Sequence, residues 1–115
     1  VFIREKLHIL HYHYYTSIIV FMSKGNLNYL IESLLHIPSK QEMEALLRGL
    51  LTQKELEELP KRLEIFKQLK KGIPQHEIAD KMGIGVATVT RGSLELQRGY
   101  IQTTSWWRNL SSIRG

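Results

Sequence analysis

The chain has no cysteine among its 115 residues. No disulfide, thiolate nucleophile or cysteine metal site is therefore available to it. It has no apolar run long enough to span a bilayer. The residues Ile18 to Phe21 form only a brief apolar stretch, too short for the core of a signal peptide, and no small-residue cleavage site follows. Catalytic sets are also missing. No Ser-His-Asp arrangement, phosphate-cradling glycine loop or metal triad is visible. His76 and Glu77 are adjacent on a helical segment and point in different directions. The glycines of Gly83-Ile84-Gly85 precede a helix, but no strand leads into them, which argues against a nucleotide loop. These absences point away from an enzyme and away from a membrane protein, and no internal repeat is present.

With 43% hydrophobic residues and 115 in all, the chain suffices for one small domain, whose limited burial would benefit from a shared dimer core. Sixteen basic residues against eleven acidic give a net charge of +5, a balance that suits a polyanionic partner.

Only three prolines are present, and they help mark boundaries. Residues Asn26 to His36 carry Leu27, Leu30, Ile31, Leu34 and Leu35 on one helical stripe, which Pro38 ends. Ser39 and Glu42 form a capping box for a second helix with Met43, Leu46, Leu47 and Leu50 inward. Thr52 and Glu55 form another, opening a long helix to about Lys71 with Leu56, Leu59, Leu63, Phe66 and Leu69 inward. Pro60 lies in its middle and predicts a kink or a division into two helices. Gly72 ends the segment, and Ile73-Pro74 links it to the next helix.

The most informative stretch is Gln75 to Gln97. Ile78, Ala79 and Met82 are spaced to face inward on a short helix, and Gly83 supplies the left-handed residue of a tight helix end. A second helix starts near Val86, with Val89 and Leu96 on one face and Thr88, Thr90 and Arg91 on the opposite one. Small Ala79 sits where the second helix crosses the first. This is the pattern of a helix-turn-helix that presents polar groups to the major groove. Val86, Ala87 and Thr88 lie at the start of the recognition helix. Their methyl groups suit thymine, and the hydroxyls of Thr88 and Thr90 suit bases or phosphate.

The run Ala87-Thr88-Val89-Thr90-Arg91-Gly92-Ser93, with Gln75-His76-Glu77-Ile78 before it, resembles the Trp repressor family. So do Leu50-Leu51-Thr52-Gln53-Lys54-Glu55 and Leu59-Pro60-Lys61-Arg62-Leu63-Glu64-Ile65. The resemblance covers residues 45–99 and implies an all-α, intertwined homodimer that represses transcription from double-stranded operator DNA in the cytoplasm. It implies L-tryptophan as corepressor, with no metal. His76 would be a DNA contact, and Ala79 stands where the family has a basic residue, implying altered readout. In the ligand site, Arg62 and Arg91 would stack on the indole, and Arg91 with Thr52 would hold the carboxylate. Carbonyls of Gly49 and Leu51 would take the ammonium, and Gly92 would leave room for the ring. Glu95 stands where the family often has serine, to pair with the ammonium or crowd it; Pro60 replaces a small residue. The Leu59 to Glu64 wording also resembles a sister branch of Trp-repressor-like regulators. Two alternatives therefore stay open: a DNA-binding regulator independent of tryptophan, and a degenerate helical dimerisation protein without DNA function.

Residues 1–22 are expected to be an unstructured or non-native leader, since Met22-Ser23-Lys24-Gly25 resembles a natural start. His8, His11 and His13 have a spacing that permits metal binding, but no supporting carboxylate is evident. Residues 23–99 are expected to form the helical DNA-binding domain, and residues 100–115 a poorly defined tail. In that tail Trp106, Trp107, Leu110 and Ile113 could make a turn or two, while Thr103, Thr104, Ser105, Ser111 and Ser112 weaken any helix.

Overall fold

A computed structural model describes residues 10–19 and 25–113. Every regular element among them is helical. Residues 10–19 form α1, all of it exposed, where an unstructured leader was expected. Its order is local: Thr16 Oγ1 donates to the Tyr12 carbonyl, and the His11 and Tyr15 rings meet edge to face. His8, Met22 and half of the apolar run at 18–21 lie outside the described residues.

The following helices are α2 (Leu27–Leu35), α3 (Lys40–Leu50), α4 (Gln53–Lys70), α5 (Gln75–Met82), α6 (Val86–Arg98) and the single turn α7 (Ser105–Arg108). The chain divides into two compact units, residues 1–46 and 47–115.

In the first unit, Asn26 caps α2 by accepting from the Tyr29 N–H, and Ser39 caps α3 by accepting from the Glu42 N–H. Neither helix contains a buried residue. The apolar stripe of α2 is left open, with Leu27 at 65% and Leu35 at 73% exposure.

The second unit carries the core. Thr52 accepts from the Glu55 N–H while the Glu55 carboxylate accepts from the Thr52 N–H and hydroxyl, so α4 opens on a complete capping box. The helix then runs unbroken through Pro60 rather than dividing there. The ring removes one backbone bond, at a cost on the order of 3 kcal/mol. The cap at one end and the packed residues Ile65 and Phe66 further along hold the helix through that point.

These two residues also correct the expected inward face. Leu59 and Leu63, expected to be buried, are exposed at 39% and 45%. Ile65, absent from the expected set, is 1% exposed. The helix therefore has two apolar faces, one turned to α5 and α6 and one, with Leu59 and Leu63, exposed among the described residues.

Ile65, Ile78, Ala79 and Val89 form the core where α4, α5 and α6 meet, with Leu69, Ile73, Met82 and Ile84 packed around it. Gly83 closes α5 at φ 65°, the left-handed conformation expected of it.

Beyond Gly99 the chain forms a 3-10 turn at Ile101–Thr103, then α7, then a second turn at Leu110–Ser112. The tail was expected to be poorly defined. Its threonine hydroxyls act instead as caps and turn braces: Thr104 accepts from the Trp107 N–H, and Thr103 donates to the Tyr100 carbonyl. Gln102 ties it to the end of α6 through the Leu96 carbonyl. Lys70 at the end of α4 donates to the Trp107 carbonyl and stands 4.9 Å from that indole's centroid. Leu110 is buried.

Hydrogen bonds from Thr52 hold the Glu55 carboxyl below its ordinary value of 4.5. A depressed carboxyl pKa contributes stability that is complete above the ordinary value and is lost as pH falls through the folded one. Thr52→Ala is therefore expected to lower Tm by about 5 °C at neutral pH. Melts repeated near pH 3 should show a smaller difference from the unmodified chain, by roughly the share that the ionised carboxylate supplies.

Candidate functional site

Two helical stripes face each other across a cleft of about 590 Å³. From α4 come Glu58, Lys61, Arg62, Ile65 and Phe66, spaced i, i+3, i+4, i+7, i+8. From α6 come Ala87, Thr88, Arg91, Gly92 and Glu95, again along one face, and Ile84 closes the cleft from the turn. Ile65 and Phe66 are buried residues of its wall, while the charged groups are nearer solvent. The volume lies within the roughly 300–1,000 Å³ of small-molecule sites, and five of the eleven lining residues, Glu58, Lys61, Arg62, Arg91 and Glu95, are charged, more than such sites usually carry.

Arg62 and Arg91 approach the cleft from opposite helices, and neither has a hydrogen bond or ion pair among the described residues. Two unpaired guanidinium planes suit an aromatic ring between them and a carboxylate at their forks. Glu95 is held by Arg98, with Nη1 to Oε2 at 3.0 Å.

Of the residues expected at a ligand site, Arg62, Arg91, Gly92 and Glu95 come together here, and Ala87 and Thr88 join them from the group expected at DNA. Gly49, Leu51 and Thr52 do not line the cleft. Thr52 caps the helix that carries Arg62 ten residues later, about 15 Å along its axis. Its hydroxyl proton is also directed to Glu55, 3.0 Å away, so it has none free for a carboxylate.

Glycine at 92, which lines the cleft, also meets a packing demand that was not expected. A Cβ there would lie 2.7 Å from Ile65 Cγ2 and 3.8 Å from Leu69 Cδ1. The missing side chain makes room for α4 and lets α6 approach it closely.

At the first turn of α6, Val86, Ala87 and Thr88 are exposed, the last two also lining the cleft. Gly85 provides no side-chain cap, and the first turn carries no acidic residue. His76 is exposed on the first turn of α5. Thr90 is exposed, but its hydroxyl lies 2.7 Å from Gln75 Oε1 and 3.0 Å from the Val86 carbonyl. Its single proton is thus shared between Gln75 of α5 and the carbonyl one turn back in α6 itself. Ala79 is 5% exposed and belongs to the core rather than to a DNA-facing surface. The outer face of α5 instead carries His76, Glu77, Asp80 and Lys81, the last paired with Glu77 at 3.0 Å.

Sequence reasoning missed Glu58, Lys61 and Phe66 as cleft residues. The i, i+4 relation of Glu58 and Phe66 to Arg62 was the available signal. No group of described residues has the arrangement of a metal site, and no helix among them is long and apolar enough to cross a membrane.

The family model described as "Trp repressor protein" matches residues 25–111. A Trp operon repressor homolog of Vibrio campbellii is 45% identical over 58 residues, which cover 50% of this chain and 58% of that protein. A Photobacterium profundum homolog of the same name is 39% identical over 72 residues, 62% of this chain and 70% of that protein. One from Xylella fastidiosa is 34% identical over 74 residues, 64% of this chain and 80% of that protein. The chain thus spans little more than half the length of the first of these relatives.

Gly92→Ala tests the close approach of the helices. At an open helical position this change stabilises by about 1 kcal/mol. Here overpacking against Ile65 should outweigh that gain and leave a net loss of about 1 kcal/mol, measured by urea unfolding.

Proposed function

The chain belongs to the Trp repressor family, and on that footing we propose that it is a dimeric DNA-binding repressor with L-tryptophan as corepressor. The family is one of transcription regulators rather than enzymes. The observation that carries the ligand reading is that Arg62 and Arg91, unpaired among the described residues, line opposite sides of one cleft beside Ile65 and Phe66. The indole lies between their guanidinium planes, and the carboxylate takes charge-assisted bonds from Arg91.

Both walls of the cleft belong to elements with a second task. The α4 wall is part of the core, and the α6 wall is the back of the recognition helix. A ligand that bridges them fixes the angle of α6 to α4. Its leverage on DNA equals its differential affinity for the DNA-competent arrangement.

The exposed apolar residues support a second copy as partner. Leu50, Leu59 and Leu63 in one unit, and Leu27, Leu30, Ile31 and Leu35 in the other, are too many large side chains to leave in water. The same partner accounts for Gly49, Leu51 and Thr52, which cannot reach the cleft of their own chain. In the dimer they approach the ligand of the other copy, where the carbonyls of Gly49 and Leu51 accept from its ammonium. Two recognition helices then stand roughly 34 Å apart, one turn of duplex. Val86, Ala87 and Thr88 contact bases, His76 lies beside them, and the uncapped start of α6 receives a phosphate. Thr90 acts mainly by holding α5 to α6.

The test is selection of duplexes from a random pool, followed by binding with and without L-tryptophan at two salt concentrations. A two-fold symmetric site should be enriched, with affinity that rises with L-tryptophan and falls with salt. Arg62→Ala should lose the tryptophan dependence while retaining the salt-dependent nonspecific binding. Specific binding indifferent to L-tryptophan would favour the ligand-independent regulator. The absence of any salt-dependent DNA binding would favour the dimerisation protein.

A further inference from the structure

We propose that the C-terminal tail is a strap that restrains the swing of α6 against α4, with Lys70 as its positioning residue, so that α6 is held in part before any ligand arrives. The restraint stands apart from the repressor reading above; only its consequence for DNA rests on that reading. The tail follows α6 directly and returns to the C-terminal end of α4. One anchor is on α6, where Gln102 Nε2 donates to the Leu96 carbonyl at 2.6 Å. The other is on α4, where Lys70 Nζ donates to the Trp107 carbonyl and lies 4.9 Å from the indole centroid. The two helices pack between these anchors and the cleft, at Gly92 against Ile65 and Leu69. Along α4 the charged cleft residues Glu58, Lys61 and Arg62 precede that packing point, and Lys70 follows it. Cleft and strap therefore act on α4 from opposite sides of one pivot.

A strap restrains only if it has no slack, and this one is braced along its length. Thr103 and Thr104 donate to the carbonyls of Tyr100 and Ile101, each at 2.7 Å. Thr104 also accepts from the Trp107 N–H at 3.2 Å. Arg108 ties α7 back to the preceding turn, donating to the Thr103 carbonyl at 3.2 Å and to Ser105 Oγ at 3.1 Å. Leu110 is 6% exposed, which gives the tail an apolar foot. The tail is thus a stiff body held at both ends. Its turns are built from contacts within the tail, whereas the Lys70 bond joins residues 37 apart and is not needed to form them. Lys70 is exposed, so losing its contacts shifts a population severalfold and leaves the fold intact.

Amide hydrogen exchange of the full chain, with neither DNA nor ligand, tests the restraint. Lys70→Met keeps the aliphatic stem and removes the ammonium, and its α6 amides should exchange about fivefold faster. Lys70→Arg, which keeps a cationic donor, should restore most of the protection. Thr52→Ala weakens the opposite end of α4 and controls for general loss of stability. At the same interval below each Tm, α6 in Thr52→Ala should stay better protected than in Lys70→Met. Protection of α6 in Lys70→Met equal to that of the unmodified protein, or to that of Thr52→Ala on this scale, would overturn the strap. On a selected duplex, Lys70→Met should weaken binding about fivefold without L-tryptophan and by less than about twofold with it, because bound ligand then holds α6 from the cleft side. Equal weakening with and without ligand would overturn the strap's action on DNA. An unmodified protein that binds no duplex specifically would overturn the repressor reading, while the exchange result still decides the strap.

Discussion

The contact of Gly92 with Ile65 sets the geometry on which the rest depends. The virtual Cβ at residue 92 falls 2.7 Å from a methyl group of a side chain that is 1% exposed. Only glycine lets α6 lie this close to α4. That approach buries Val89 and Ile65 in one core. It also leaves a cleft beside the contact rather than a fully closed seam. Arg62 and Arg91 face one another there because each lies one turn or less from the contact, three residues before Ile65 and one residue before Gly92. The same packing that stabilises the unit therefore positions the cleft and the start of α6 in one step.

Much of this was legible in the sequence because it is written in local rules. The capping box at Thr52, the Ser39 cap on the Glu42 N–H, the left-handed Gly83 and the inward Ile78, Ala79 and Val89 depend on neighbours a few residues away, and each formed as expected. What was not legible depends on which of two faces is covered. Leu59 and Leu63 follow the helical stripe as well as any core residue, yet they are exposed, and Ile65 off that stripe is buried. Periodicity reports that a face is apolar without saying what meets it. The tail was obscured for another reason. Turns of three or four residues show no period, and the threonines that weaken a long helix are good caps for a short one.

At the site, the arginines and Glu95 were found through resemblance, and their convergence follows from two helical stripes. Thr52 and Gly92 carry structural tasks that the resemblance did not name. Thr52 is committed to its capping box and Gly92 to helix packing. Ala79 likewise belongs to the core. The resemblance carries residue identities across a family, but hydrogen bonds and contact distances decide what each one does in this chain.

The proposed dimer would account together for the exposed leucines and for Gly49, Leu51 and Thr52, which do not line the cleft of their own chain. The central claim is narrower: a ligand in the cleft acts on DNA by fixing α6 against α4. Amide hydrogen exchange, with and without L-tryptophan and in the absence of DNA, tests it most directly. The account predicts slower exchange along α6 and on the turn at Ile84, since closing the cleft removes the opening motion that exposes those amides. Binding of L-tryptophan with exchange in α6 unchanged would contradict it.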